Sequence, residues 1–91
     1  MYNTVVMTDK LEILKKRLIY RASYRGTKEM DILLSSFVNK YINEFDNDLL
    51  DELNNFLNYD DEIILNYYQN NIAKNEIDLN KVSKIFKSFK I

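Results

Sequence analysis

The sequence contains neither cysteine nor histidine, and these absences exclude several kinds of active site. Without cysteine there is no thiol nucleophile, no disulfide and no thiolate-bound metal. Without histidine the chain lacks the commonest general base and the commonest metal ligand. The composition therefore predicts a protein that is not an enzyme and that has no metal site built from thiolates or imidazoles.

Proline is also absent, and glycine occurs once, at Gly26. These two residues are the main helix breakers, and the apolar residues recur at helical rather than alternating spacing. A chain of 91 residues supports one hydrophobic core. We therefore predict an all-α fold, a compact bundle of about five short antiparallel helices, as a single domain over 1–91 with a flexible N-terminus at 1–8 and the bundle over 9–90.

Long apolar segments are missing as well. No stretch approaches the roughly 18 uninterrupted apolar residues that indicate a membrane span. The first residues lack the basic region, apolar core and cleavage site of a signal peptide, and no arginine of a transit peptide precedes Arg17. Together with the absence of cysteine, which suits a reducing compartment, these features predict a cytoplasmic protein that does not bind membranes.

The charges are unevenly distributed although the net charge is only −1. Residues 1–40 carry eight Lys/Arg and four Asp/Glu, whereas 41–80 carry one lysine and ten acids, and 81–91 carry four lysines. Two interpretations stay open, solvated faces or a polarised surface that orients a partner. The final lysines are interpreted as the solvated face of a helix, so nucleic-acid binding is not predicted.

Capping residues and apolar periodicity predict where the helices lie. Asp9 and Glu12 resemble a capping box, Gly26 ends the first helix, and Thr27 can cap the second. The second helix has the clearest buried stripe, which centres on Phe37. The predicted helices are 9–24, 28–43, 48–58, one opened by 60–62, and a last one capped by Asp78 or Asn80 after a loop at 70–75.

All three arginines fall within a short stretch, at Arg17, Arg21 and Arg25, and every other base is lysine. This spacing lies along one face near the end of a helix, where cations suit the helix dipole. The planar guanidinium suits carboxylates, backbone carbonyls and protein interfaces better than lysine does. The turn at Gly26 should bring Arg25 near Glu29, either as an ion pair that pins the turn or as an exposed binding surface.

Residues 17–37, which read R-L-I-Y-R-A-S-Y-R-G-T-K-E-M-D-I-L-L-S-S-F, resemble the signature of the succinate dehydrogenase FAD assembly factor family. That signature is R-L-x-[FY]-R-[AS]-x-x-R-G-x-x-E-x-D-x-L-L-x-x-F. A weaker match follows at 57–67, where the family usually has an acidic segment, an apolar pair and an aromatic residue. Tyr67 stands where the family often has tryptophan, and Asp60 where proline often precedes the fourth helix.

The resemblance implies a small five-helix protein of the bacterial cytoplasm or the mitochondrial matrix, and we expect the bacterial cytoplasm. It implies binding to the flavoprotein subunit of succinate dehydrogenase, or of a related fumarate reductase, and promotion of covalent FAD attachment to a histidine of that client. The resemblance implies that the FAD belongs to the client. Stable FAD binding by this chain alone is also not expected, since the sequence has no glycine-rich phosphate loop after a strand. The implied partner-binding residues are Arg25, Gly26 and Glu29, flanked by Arg17, Arg21 and Asp31, with Tyr67 as a neighbour.

Two other classes of function stay open. The runner-up is a helical regulatory or antitoxin-like module. The third is an enzyme that uses Glu29 and Asp31, or the acids at 60–62, as paired carboxylates or as oxygen ligands of a metal. Acids at helix starts more often complement the dipole, which disfavours the enzyme. Tyr20, Tyr24 and Ile13 can support either self-association or client contact, and we expect a monomer when the protein is free.

Overall fold

The computed structural model describes the chain from residue 2 to residue 91, with side chains from residue 10 onward. Within that part the fold is all-α, as predicted, and contains no strand. The helices are α1 (Tyr2–Ser23), α2 (Lys28–Tyr41), α3 (Asn47–Phe56), α4 (Asp61–Asn70) and α5 (Lys81–Lys87), with a 3-10 turn at Ile77–Leu79 before α5.

The start of α1 differs from the prediction. The helix begins at Tyr2, so Asp9 and Glu12 lie inside it instead of forming its first turn. A capping box begins a helix only if the residues before it leave the helical conformation. No glycine or proline lies before Asp9 to break the helix there. The flexibility predicted for 1–8 stays a prediction, and Met1 lies outside the described residues.

The centre of the core is on α2, as its apolar stripe predicts. The Thr27 side chain accepts a hydrogen bond from the backbone N–H of Met30 and caps this helix. Phe37 is fully buried, and its ring centroid lies 5.1 Å from those of Tyr41 and Phe86. Edge contacts with neighbouring rings favour such a cluster beyond the burial of apolar area alone. The α2 helix therefore joins the two ends of the chain around one aromatic core.

The remaining helices complete the bundle and present the end of α3 to α1. Asp46 caps α3 and Asn80 caps α5. The Asn80 side chain accepts a hydrogen bond from the N–H of Ser83, and Asn80 was one of the two residues predicted to cap this helix. The α1 helix packs on α2, whereas α3 packs on α5. Asn71, with a left-handed φ of 58°, ends α4. No helix in the described part of the chain is long and apolar enough to cross a membrane.

Candidate functional site

The turn between α1 and α2 is built around Gly26. The φ angle of Gly26 is +132°, a conformation that side-chain-bearing residues rarely adopt. Thr27 then returns to extended backbone and caps α2, so the chain reverses direction between Ser23 and Lys28. A Cβ placed on Gly26 would meet only Asp61 Oδ2, at 3.9 Å, an ordinary van der Waals distance. Backbone conformation, and not lack of space, is therefore what requires glycine here.

The Arg25 side chain holds this turn against the segment after α3 and the start of α4. Its Nε donates to Asp61 Oδ1 at 2.8 Å, and its two terminal nitrogens donate to the backbone carbonyls of Leu57 and Tyr59, each at 2.7 Å. Its backbone N–H donates to the Asp31 carboxylate in the first turn of α2. The Arg25 side chain is only 11% exposed. One residue thus ties together the end of α1, the start of α2, the segment after α3 and the start of α4.

Arg21 makes a second connection between α1 and the end of α3. Its guanidinium donates to the side-chain oxygens of Asn54 and Asn58 and, at 3.4 Å, to the Asn54 carbonyl. Burial lowers the pKa of Arg21, and the neighbouring positive charge of Arg25 lowers it further. Two cations at one place are tolerated because they meet the negative end of α3, which has no basic residue in its own last turn.

These contacts explain why arginine and not lysine stands at positions 21 and 25. The last carbonyls of a helix lack partners within the helix, and a guanidinium can donate to two of them at once. Arg21, from α1, and Arg25, from the turn after it, therefore donate to carbonyls at and just after the end of α3, a role that lysine cannot reproduce with the same geometry. We call this set of contacts the arginine clamp, formed by Arg21 of α1 and Arg25 of the turn with Asp61 and the segment 54–59.

Two expectations about the Arg25 side chain differ from the structure. The sequence suggested that it is mostly exposed and that it can pair with Glu29, whereas it is 11% exposed and pairs with Asp61. Its assignment as a partner-binding residue stays a prediction. The reason is tertiary. The carbonyls after α3 and the carboxylate at the start of α4 lie beside the turn in the fold, and they satisfy the guanidinium better than an exposed carboxylate on the surface of α2 does.

The outer side of the turn has a different character. Gly26, Thr27, Lys28 and Glu29 are all exposed, and Arg17 is exposed further along α1. Asp31 is half-buried and holds the Arg25 backbone. The sequence-predicted residues therefore divide into two groups. Gly26 and Glu29 face solvent at the turn, whereas Arg21, Arg25 and Asp31 position it.

Tyr67 lies in the interior and not on this surface. It is 5% exposed, and the ammonium group of Lys87 lies 4.6 Å from its ring centroid. Burial raises the pKa of the Tyr67 hydroxyl, and the negative charge of Asp78 raises it further. Its place in the apolar stripe of α4 is consistent with burial, whereas the resemblance placed it beside the binding surface.

Sequence reasoning missed Asp61, Asn54 and Asn58 as parts of the site. Their signal was indirect. Asp61 belongs to the acidic segment of the second matching block, and three arginines in a lysine-rich chain imply partners for their guanidinium groups. Nothing local, however, relates positions that are more than 30 residues apart along the chain.

An open groove lies on the other side of Glu29. It has a volume of about 410 Å³ and is mostly apolar, with Glu29 and Gln69 as polar members. Its other lining residues are Met30, Ile32, Leu33, Leu65, Tyr68 and Ile91. The lining includes one acidic side chain, Glu29, and no basic side chain. Among the described residues no group of acidic side chains is arranged to hold a metal ion.

The fold is a small helical bundle whose ordered polar contacts hold an exposed turn in place. Residues 16–90 match the family described as flavinator of succinate dehydrogenase. The chain belongs to this family, as the signature at 17–37 predicted. The match favours an assembly factor over the antitoxin-like alternative.

Curated relatives carry consistent names. The chain is 45% identical over 53 residues to the mitochondrial succinate dehydrogenase assembly factor 2 of Scheffersomyces stipitis. This match covers 58% of the chain and 36% of the relative. It is 41% identical over 58 residues to the proteins of the same name from Schizosaccharomyces japonicus and Drosophila grimshawi, covering 64% and 60% of this chain. The matches span 39% and 40% of those two relatives. No solved structure matches the chain significantly.

The expected bacterial cytoplasmic location is wrong by the same comparison, because the relatives are named mitochondrial and come from yeasts and flies. The expectation came from the lack of cysteine and of a signal-peptide pattern. Both features are compatible with more than one reducing compartment, so neither distinguishes between them.

Proposed function

We propose that this protein binds the flavoprotein subunit of succinate dehydrogenase and promotes the covalent attachment of FAD to it. The family match and the names of the relatives support this function. The structural observation that supports it is a difference in exposure at the turn. The Arg25 side chain, which holds the turn, is 11% exposed, whereas Gly26 and Glu29 are exposed to solvent. A surface that is held in one shape before binding loses less conformational entropy on association.

The roles of the residues follow from their exposure. Glu29 offers a carboxylate in the first turn of α2, and the absence of a side chain at Gly26 lets a partner backbone approach closely. Arg17 adds a cation on the exposed side of α1. Arg21, Arg25 and Asp31 act through these residues by fixing the turn.

Promotion of flavin attachment requires no reacting group on this chain. The resemblance places the acceptor histidine on the client, and this chain has no histidine or cysteine of its own. A partner that binds one conformation of the client better than others raises its population. If that conformation aligns the flavin with the acceptor side chain, the reaction accelerates through proximity and orientation. In this proposal the FAD stays with the client throughout.

The test is to co-express the flavoprotein subunit with this protein and measure covalently bound flavin by in-gel fluorescence. Glu29→Gln removes the charge at the turn with almost no change in shape. Its matched control is Glu44→Gln, an exposed glutamate in the turn that follows α2. We expect flavin attachment to fall at least tenfold with Glu29→Gln and to stay at the wild-type level with Glu44→Gln.

Two results contradict parts of the proposal. If the wild-type protein does not raise covalent flavin above the level of the client expressed alone, the function is wrong. If it does so and a folded Glu29→Gln variant is equally effective, the function stands, and the turn is not the contact surface.

A further inference from the structure

The α1 helix carries two apolar faces, and packing in this molecule uses only one of them. Leu14, Leu18 and Ala22 recur every four residues and face the core, where Leu18 and Ala22 are fully buried. Ile13, Arg17 and Tyr20 share a second face of α1, and Tyr24, just after the helix, extends this face because its ring contacts that of Tyr20. The four residues are spaced by four, three and four positions, and all four are exposed. A surface helix of a monomer needs one apolar stripe, so the second requires an explanation.

The two tyrosines form a compact pair on this second face. Their ring centroids lie 4.5 Å apart with a 34° tilt, and the residues are 63% and 69% exposed. Tyrosine is abundant in this chain, yet Tyr41, Tyr59, Tyr67 and Tyr68 are all buried or half-buried. Abundance alone therefore does not account for two adjacent exposed rings. Tyrosine and arginine are the residue types most enriched where protein interfaces gain their affinity.

The charges around this face indicate the kind of surface that it can bind. The exposed cations nearby on α1 are Lys10, Lys16 and Arg17, whereas Glu12 is its one acid between residues 10 and 23. Such a face is repelled by a basic surface and attracted to an acidic one. The face also continues into the turn, because Tyr24 lies two residues before Gly26. A partner that contacts Gly26 and Glu29 is therefore in position to contact the tyrosine pair.

We propose that Ile13, Arg17, Tyr20 and Tyr24 form a second docking face that binds an acidic surface with apolar hollows on the client flavoprotein subunit. This inference rests on the proposed function and deepens it, since it assigns a contact surface outside the turn. The tyrosine rings fill the hollows, and Arg17 pairs with a client carboxylate. The turn then determines which conformation of the client is bound, while the α1 face supplies much of the affinity.

The first experiment measures binding of the purified flavoprotein subunit to immobilised wild-type protein and to the double variant Tyr20→Ala/Tyr24→Ala. The matched control is Ile72→Ala/Leu79→Ala, which removes two exposed apolar side chains in the segment between α4 and α5. We expect the tyrosine variant to bind at least tenfold more weakly and the control to bind within twofold of wild type. Melting temperatures of all three proteins establish that each is folded.

The second experiment tests the charge. Arg17→Glu should slow association with the client at least fivefold in low salt, and the difference should shrink as ionic strength rises. Lys84→Glu on α5, also exposed, is the control with the same charge change and should have a smaller effect.

The outcomes separate this inference from the function on which it rests. If wild-type protein supports flavin attachment and the folded tyrosine variant binds the client within twofold of wild type, only the docking face is wrong. If the tyrosine variant binds normally but loses a dimer that wild type shows in sedimentation, the face serves self-association and the inference is overturned. If wild type neither binds the client nor raises its covalent flavin, both proposals fail.

Discussion

The two sides of the turn between α1 and α2 use similar residue types for opposite purposes. Beneath it, Arg25 is buried among a carboxylate and two backbone carbonyls, and Arg21 binds two asparagine side chains at the end of α3. Above it, Glu29 and Arg17 carry their charges in solvent. A charged residue in a family signature can therefore maintain a surface or belong to it, and burial distinguishes the two roles. Mutations on the two sides should separate stability from binding.

The largest effect on stability is expected from Arg25→Ala. Removal of the guanidinium leaves the Asp61 carboxylate, which is 26% exposed, and two carbonyls without their partner. Because the pair is mostly buried, we expect the free energy of unfolding to fall by about 2–4 kcal/mol in urea denaturation. The control is Arg17→Ala, which removes the exposed arginine of α1 and should change the free energy of unfolding by less than about 0.5 kcal/mol. Equal losses for the two variants would contradict the arginine clamp.

A smaller loss is expected from Gly26→Ala. The added methyl group has room, since its nearest neighbour would be Asp61 Oδ2 at 3.9 Å, but a φ of +132° is strained for alanine. Strain of this kind costs about 1–3 kcal/mol in the free energy of unfolding. A thermal melt that matches wild type would mean that the turn relaxes to another conformation without cost. Client binding by this variant would then test whether the original conformation matters.

Arg21→Ala should have a smaller effect again. Its hydrogen bonds to Asn54 and Asn58 lie near solvent, so we expect a loss of about 1 kcal/mol in unfolding free energy. A double-mutant cycle with Asn54→Ala isolates the contact, and the coupling energy should be about 0.5–1 kcal/mol. A coupling energy indistinguishable from zero would mean that Arg21 stabilises the fold through its positive charge near the end of α3 and not through the hydrogen bond to Asn54.

The smallest effect on stability is expected from Glu29→Gln. Its side chain is exposed, and no described hydrogen bond or ion pair depends on it, so the free energy of unfolding should change by less than about 0.5 kcal/mol. The same variant should strongly reduce flavin attachment to the client. This combination is the reverse of that expected for a residue of the arginine clamp. A stability loss above 1 kcal/mol would place Glu29 among the positioning residues.

The parts of the fold that could be predicted from the sequence depend on local signals. Thr27 and Asn80 cap α2 and α5 as expected, and the stripe around Phe37 identified the core, because caps and periodicity involve residues a few positions apart. The start of α1 was predicted too late because a capping pattern begins a helix only where the preceding residues leave the helical conformation, and no glycine or proline precedes Asp9. The 3-10 turn at Ile77–Leu79 was missed because three residues are too few for a periodic signal.

Within the candidate site, the turn could be predicted from the sequence but the contacts that hold it could not. Gly26 was expected to end the first helix in a left-handed conformation, and it is the residue of this turn with a positive φ. The contacts of Arg25 could not be predicted because its partners, Leu57, Tyr59 and Asp61, lie 32 to 36 positions away along the chain. Only the tertiary fold places the turn beside these residues, and whether the turn is the binding surface stays a prediction.

We expect the arginine clamp to make two distant segments open as one unit. When Arg25 leaves the carbonyls of Leu57 and Tyr59, the turn and the segment that follows α3 lose the same contacts. The amides of Asn58 and Tyr59, which donate to carbonyls at the end of α3, then exchange with solvent. A partner that binds only the closed turn must slow this exchange at amides it never touches. Deuterium uptake at the end of α3 therefore measures occupancy of a surface formed by α1 and α2.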